Sequence, residues 1–375
     1  MLYDKLKEYS AGGTYPMHMP GHKRNPASMP PGLPFDIDIT EIQGFDDLHE
    51  PRGDLRETAE LAARLYGSDR AFLLVNGSTV GILAAVGALA SRGEKILVAG
   101  KSHRSVGNAA SLFGLLPARL PPAIDGQSGV PCSIDPKAVK SALDRDPGIR
   151  LVVITSPSYE GVVSDIGAIA AVARERGVPL LVDGAHGAHL GFYPGFPESP
   201  VRAGADVAVM SLHKTLPALT QCSLLHVCSG RADADEIKRL LSVLQTSSPS
   251  YVLMASADHC LRLLTADGER LFSAYARNLE RFRDGIRPLK RLRVLGQAGF
   301  GPAPGFYALD PGKIVIVTKD TPLSGFQLAD VLRAEFKIEL ERACADYAIA
   351  MTSICDSIEG FDRLAEALLE IDGRL

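Results

Sequence analysis

The sequence predicts an α/β fold, a mainly parallel sheet flanked by helices with a small α+β lobe at its C-terminal end. Three observations predict it. Short apolar runs such as Leu151-Val-Val-Ile-Thr155 and Val178-Pro-Leu-Leu-Val182 are bounded by turn residues, the pattern of strands buried on both faces. These runs alternate with segments of helical periodicity. The chain has 375 residues, 46% of them hydrophobic, enough for a large α/β unit with an appendage.

Taken in order, residues 1–50 read as an irregular segment rich in Pro and Gly that wraps another surface. Residues 51–289 read as the large domain. There, apolar spacing gives a helix over Leu55–Tyr66 and a strand over Ala71–Val75. A turn at Asn76-Gly-Ser-Thr79 opens a helix of small residues that runs to about Ser91. A strand at Lys95–Ala99 and a helix over Arg104–Phe113 follow. The strand Leu151–Thr155 precedes a helix over 165–176, and two further strands end at Asp183 and Met210. Leu224–Val227 reads as an antiparallel return, followed by helices at about 232–244, 252–266 and 269–289. Residues 290–375 read as the small lobe: strands at Lys313–Thr318 and Tyr347–Ile354, helices at Ser324–Phe336 and Gly360–Ile371.

Composition removes several functions. Aromatics are 6% with no tryptophan, and 40 Lys+Arg stand against 44 Asp+Glu, so neither stacking platforms nor a basic face for nucleic acid is expected. No apolar stretch is long enough to span a bilayer, and the N-terminus lacks a signal-peptide core. The six cysteines form no C-x-x-C pair, which fits reduced thiols in a cytoplasmic protein.

The chemistry concentrates at strand ends. Asp183 closes one apolar run, and Ser211-Leu-His-Lys-Thr215 follows the next. Such ends face the crevice where open α/β sheets bind ligands. A buried lysine can lose its proton and attack an aldehyde, and a buried aspartate can keep a pyridinium nitrogen protonated. Lys214 and Asp183 together therefore suggest a pyridoxal 5'-phosphate (PLP) site. Ser78 and Thr79 open a helix directly after a strand, where an anion is favoured, although taken alone they read better as a simple helix cap. Ser211 and His213 offer further donors for a phosphate. His103 follows another strand; alone it reads as a solvated or capping histidine, and stacking on an aromatic cofactor is the alternative. His186 and His189 lie in a Gly-rich stretch with no third ligand nearby, so no metal site is expected.

In this order the motifs resemble the PLP-dependent ornithine/lysine/arginine decarboxylases of fold type I, the aspartate aminotransferase-like fold. They are Met19-Pro-Gly-His-Lys23, Asp47-Leu-His-Glu-Pro51, Phe72-Leu-Leu-Val-Asn-Gly-Ser-Thr79, Thr155-Ser-Pro-Ser-Tyr-Glu-Gly161, Val182-Asp-Gly-Ala-His-Gly-Ala-His189, Leu212-His-Lys-Thr-Leu-Pro217 and Ser247-Ser-Pro-Ser-Tyr-Val-Leu-Met-Ala-Ser256. The resemblance implies that Lys214 forms the Schiff base, Asp183 meets the pyridine nitrogen, and His103 and Ala185 cover the two ring faces. It implies Ser78, Thr79, Ser211 and His213 as phosphate ligands, and Ser158 and His186 near the ring hydroxyl. Ser247 and Ser248 would reach the cofactor of a partner, because such sites form at a homodimer interface. Glu341, in Ile338-Glu-Leu-Glu341, falls where a glutamate recurs and would meet the distal cation of a basic amino acid; Asp46, Asp47 and Glu50 are other candidates.

The resemblance thus implies decarboxylation of arginine, lysine or ornithine to an amine and CO2. The longer members carry an N-terminal wing domain that is absent from these residues, and the C-terminal lobe is short, so part of the substrate pocket would come from a partner chain or be missing. The alternatives are another fold-type-I reaction (aminotransferase, aldolase or carbon–sulfur lyase) or a catalytically weak PLP-binding protein. For an aminotransferase, Arg333 and Arg342 are the available carboxylate clamps.

Overall fold

The computed structural model describes residues 1–297 and 305–375; residues 298–304, within the expected small lobe, lie outside the described residues. Helix α1 (Leu2–Ala11) leads into a long irregular stretch with one 3-10 turn at Pro26–Ser28, and then α2 (Asp54–Tyr66). Next come β1 (Arg70–Leu74), α3 (Gly77–Leu89), β2 (Lys95–Ala99), α4 (Arg104–Phe113), β3 (Leu116–Leu120), α5 (Pro136–Arg145) and β4 (Ile149–Thr155). A two-residue strand β5 (Val162–Val163) precedes α6 (Ile166–Glu175), β6 (Leu180–Asp183), β7 (Val207–Ser211), the single turn α7 (Leu212–Thr215) and β8 (Ser223–Val227).

Seven of these strands form one sheet in the order β1-β8-β7-β6-β4-β2-β3. The β3–β2–β4–β6–β7 pairings are parallel, and only β8 runs against its neighbours β7 and β1. Both faces are buried, and the period of two divides each strand between them. Leu97, Val152, Ile154, Val182 and Met210 join one core; Ile96, Val98, Leu151, Val153 and Val209 join the other, beneath α3, α4 and α8 (Ala234–Leu244).

The remainder is α9 (Tyr251–Gly285), then β9 (Arg293–Val294), β10 (Ala308–Leu309), β11 (Lys313–Val317), α10 (Gly325–Phe336), β12 (Arg342–Ala343), β13 (Tyr347–Met351) and α11 (Ile358–Arg374). Four of the strands form an antiparallel sheet in the order β12-β13-β11-β9. The small ladder β5–β10 joins this lobe to the loop after β4.

Three expectations are corrected. Residues 1–50 are not irregular throughout: α1 places Leu2 and Leu6, one turn apart, in the core. The backbone N–H of Leu2 donates to the buried Asp258 carboxylate at 3.0 Å, which also accepts from Thr58 Oγ1 at 2.9 Å, so one acid in α9 ties down α1 and α2. The sequence reading missed β3 and α5. Strand β3 is a sheet edge holding Pro117 and Arg119, without the apolar run of a central strand. Helix α5 is marked instead by its cap, Asp135 accepting from the Lys137 N–H ahead of Pro136.

The expected break between helices at 266–269 does not exist. Helix α9 runs unbroken for 35 residues, about 52 Å at 1.5 Å per residue. Packing against α1, α2 and α11 outweighs the cost of Gly268 in its interior. No helix among the described residues is long and apolar enough to cross a membrane. A methyl group on Gly268 would meet nothing closer than 4.0 Å. Gly268→Ala is therefore expected to raise the unfolding free energy by roughly 0.5–1 kcal/mol, read from chemical denaturation; a loss of stability would contradict the packing described.

Candidate active site

Register builds the site. Thr155 pairs with Asp183, and Asp183 with Val209, so the C-terminal ends of β4 and β6 lie abreast and β7 extends two residues past them to Ser211. Lys214 follows one turn beyond β7. The N-terminus of α3 approaches from the side of β1, and the loop before α4 from that of β2. Between them lies a cleft of about 680 Å³, lined by Ser78, Thr79, His103, Asp183, Ala185, His186, Ser211, His213 and Lys214 among others. Of the ten residues of this chain expected around the cofactor, all but Ser158 line this one cavity.

Ser78 and Ser211 come from different elements, yet their hydroxyls lie 2.6 Å apart at the head of α3. Gly77 takes φ +71° there, which turns the chain from β1 into the helix. The Gly77 N–H donates to the Gln221 carbonyl at 3.1 Å; the N–H groups that follow have no partners within their own helix and lie at the positive end of its dipole. His103 both caps α4 and lines the cleft: its Nδ1 accepts the Ser105 N–H at 3.2 Å, which fixes the ring. The His213 Nδ1–H donates to the Cys222 carbonyl at 2.9 Å.

Asp183 is 3% exposed, and one oxygen accepts the Ala185 N–H at 3.2 Å. Burial raises its carboxyl above the ordinary range, although the Ala185 N–H and the nearby Lys214 and His103 oppose this. Burial also lowers the Lys214 amine, against the pull of Asp183 and Glu341. The Lys214 Nζ lies 3.1 Å from His186 Nε2.

Several expected residues lie elsewhere. Ser158 does not line the cleft: its Oγ donates to Glu160 at 3.0 Å and accepts the Val162 N–H. Thr155 and Tyr159 form that wall. Glu341 is exposed just outside the lining and accepts a hydrogen bond from the Tyr159 hydroxyl. Asp46 is spent on the N–H groups of Arg52, Gly53 and Leu55, Asp47 accepts from the His49 N–H, and Glu50 pairs with Lys238, so none of the three is a cleft acid. Arg333 pairs with Asp330 and Glu339, while Arg342 does line the cleft, its guanidinium 4.9 Å over the Tyr159 ring. Ser247 and Ser248 do not line this chain's cleft; beside them, the Thr246 N–H is held by Asn76 Oδ1.

Sequence reasoning missed Thr155, Tyr159, Glu160 and Lys313. The first three sit inside the quoted Thr155–Gly161 motif, where only Ser158 was assigned a role. Glu160 is buried and satisfied by Tyr347 and Ser158. Lys313 opens an apolar strand, where a charge reads as a surface residue, yet it is 3% exposed and lies 2.9 Å from His186 Nδ1. His186 thus faces two lysines, whereas His189 is hydrogen bonded to Asp310 at 3.0 Å.

The fold is fold type I, the aspartate aminotransferase-like fold of an enzyme class, and solved structures share it. The E. coli constitutive lysine decarboxylase superposes with a TM-score of 0.83 at 20% identity, over 99% of this chain and 60% of its own. A ureidoglycine-glyoxylate aminotransferase from Bacillus subtilis gives 0.65 at 17% identity, over 85% of this chain and 84% of its own. An arginine decarboxylase from Bacillus subtilis is 33% identical across 99% of this chain and 76% of its own length. The family model described as Orn/Lys/Arg decarboxylase, major domain, matches residues 1–312. The chain belongs to the Orn/Lys/Arg decarboxylase family.

The elevated Asp183 carboxyl sets a pH test on the protein without added cofactor. A carboxyl held above its unfolded value contributes fully below that value, about 3.9, and the contribution is lost as pH rises through the folded value. Asp183→Asn is therefore expected to be more stable than the wild type at pH 8, with the advantage vanishing below about pH 4. Denaturation curves across that range check it.

Proposed function

We propose that this chain decarboxylates a basic amino acid (arginine, lysine or ornithine) with PLP bound in the cleft. One observation carries the reading: the acid Asp183 and the amine Lys214 share one crevice, both largely removed from water. The donor set fits the cofactor. The Ser78–Ser211 hydroxyl pair at the head of α3 suits a phosphate, together with Thr79 and His213. A buried carboxylate facing the cleft suits a protonated ring nitrogen, and Thr155 Oγ1, at the same wall, is buried with no hydrogen-bond partner among the described residues.

When bound, PLP supplies an electron sink for the pair left on the α-carbon by departing CO2. The protein's part is positional and electrostatic. Asp183 would hold a proton at the ring nitrogen of the bound cofactor. His103, fixed by its capping bond, and Ala185 would hold the ring between them. Lys214 would supply its Nζ as the nucleophile, and Lys214 or His213 would return a proton to the substrate's α-carbon. Burial keeps the Lys214 amine below its ordinary value, so more of it is neutral near pH 7.

For the substrate's distal cation we assign Glu341, oriented by the Tyr159 hydroxyl at the cleft wall. The active unit is proposed to be a homodimer, with Ser247 and Ser248 facing the partner's site. Arg342 in the cleft favours a second reading, an aminotransferase that clamps the α-carboxylate.

Purified protein supplied with PLP should release CO2 and the matching amine from at least one of the three basic amino acids. Lys214→Ala should reduce this to background, and Glu341→Gln should raise KM about tenfold, the loss of one charged hydrogen bond at a partly solvated site. Amino transfer to a keto acid without CO2 would select the second reading; full turnover by Lys214→Ala would end both.

A further inference from the structure

Lys313 is a buried lysine that the proposed chemistry leaves unused. It opens β11, and its side chain crosses the loop after β4 at Gly161. That crossing depends on Gly161: a Cβ there would come within 2.5 Å of the Lys313 Cβ, and φ is +85°. The Lys313 Nζ meets His186 Nδ1 at 2.9 Å and the Met351 sulfur at 3.1 Å. On the other side of the same ring, Nε2 meets the Lys214 Nζ at 3.1 Å.

Counting protons makes this arrangement informative. A neutral imidazole has one N–H and one lone pair, and an ammonium group can only donate. Two ammonium groups cannot both bond one neutral imidazole, so one of the two lysines accepts from the ring as a neutral amine. A charged imidazole between two lysines is disfavoured: burial, Lys313 and Lys214 hold His186 well below its ordinary value.

We propose that His186 is a proton bridge and that Lys313 is the positioning residue that takes up the proton Lys214 must lose to act as a nucleophile. The inference rests on Lys214 being the cleft's nucleophile. In the transfer, an N–H bond of Lys214 breaks as one forms at Nε2. The Nδ1–H bond breaks as one forms at Lys313, so the ring changes tautomer and the net charge of the trio stays +1. Carboxylates face both ends. Asp310, Glu160 and Glu341 favour the proton on Lys313, while Asp183 and Glu341 favour it on Lys214. His103 and His189 face the ring, and Tyr159 packs 4.6 Å from it. Burial lowers Lys313 to about 8, in the range where a relay near neutral pH can load and unload.

The test reads Lys214 directly in the full chain without cofactor. Trace labelling with fluorodinitrobenzene across pH 6–11, quantified by peptide mass spectrometry against the exposed Lys137, gives the Lys214 midpoint. Lys313→Met is expected to raise it by about one unit, a tenfold loss of labelling below the midpoint. Lys313→Arg, which keeps a cation able to donate to Nδ1, should leave it at or below the wild-type value. In His186→Phe, adding Lys313→Met should change nothing; a shift of wild-type size there would overturn the bridge in favour of charge repulsion through space. If the variants fail to fold, ring nitrogen shifts of His186 in the wild type decide. A tautomer change with pH supports the relay, and one fixed tautomer from pH 6 to 10 overturns it. Neither readout needs turnover. A shifted midpoint without CO2 release would therefore sink the decarboxylase reading alone, and CO2 release with an unmoved midpoint would sink the bridge alone.

Discussion

The register between three parallel strands is the constraint on which the cleft depends. Because β4 and β6 end level, Thr155 and Asp183 stand side by side at one edge of the sheet, and β7 runs two residues further to Ser211. The single turn α7 then returns Lys214 over that edge. Slipping β6 by one residue would turn Asp183 toward the opposite face. The two apolar cores prevent this, since each alternate side chain of β6 is committed to one of them. Packing far from the chemistry thus fixes the position of the acid.

The site concentrates what a folded protein ordinarily avoids. Asp183, His186 and Lys313 are all nearly sealed from water, and His189 and Asp310 lie beneath them. Burial opposes the charged form of each acid or base, so the groups survive by facing one another. Asp310 is the clearest case. Burial pushes its carboxyl up, yet His189 and Lys313 hold it below the ordinary value. The resulting network joins both parts of the chain, since Asp310 and Lys313 belong to the C-terminal part and His186 and His189 to the turns that follow β6 of the larger sheet. The β5–β10 ladder and the Gly161 turn bring the two parts together.

The larger sheet was legible because its strands are buried on both faces and declare themselves as apolar runs. Edge strand β3 was not, because its half-exposed residues follow no such rule. Helix α1 carries only two buried residues, too few to register as a periodic face. The unbroken α9 hid behind Gly268, whose local preference is overruled by tertiary packing. At the site, Lys214, Asp183, Ser78 and His103 could be read because each follows a strand end. Lys313 could not, since nothing local distinguishes a buried lysine at the start of a strand from an exposed one. Ser158 misled for the opposite reason: its motif was right, but its hydroxyl is consumed within its own turn.

The central claim is that the ε-amine at position 214 is the covalent anchor of a cofactor whose ring meets Asp183. Borohydride reduction of the protein after incubation with PLP, followed by peptide mass mapping, addresses it most directly. The account predicts a phosphopyridoxyl group on the peptide containing Lys214 and nowhere else. Its appearance on Lys313 or on surface lysines, with Lys214 unmodified, would contradict the account.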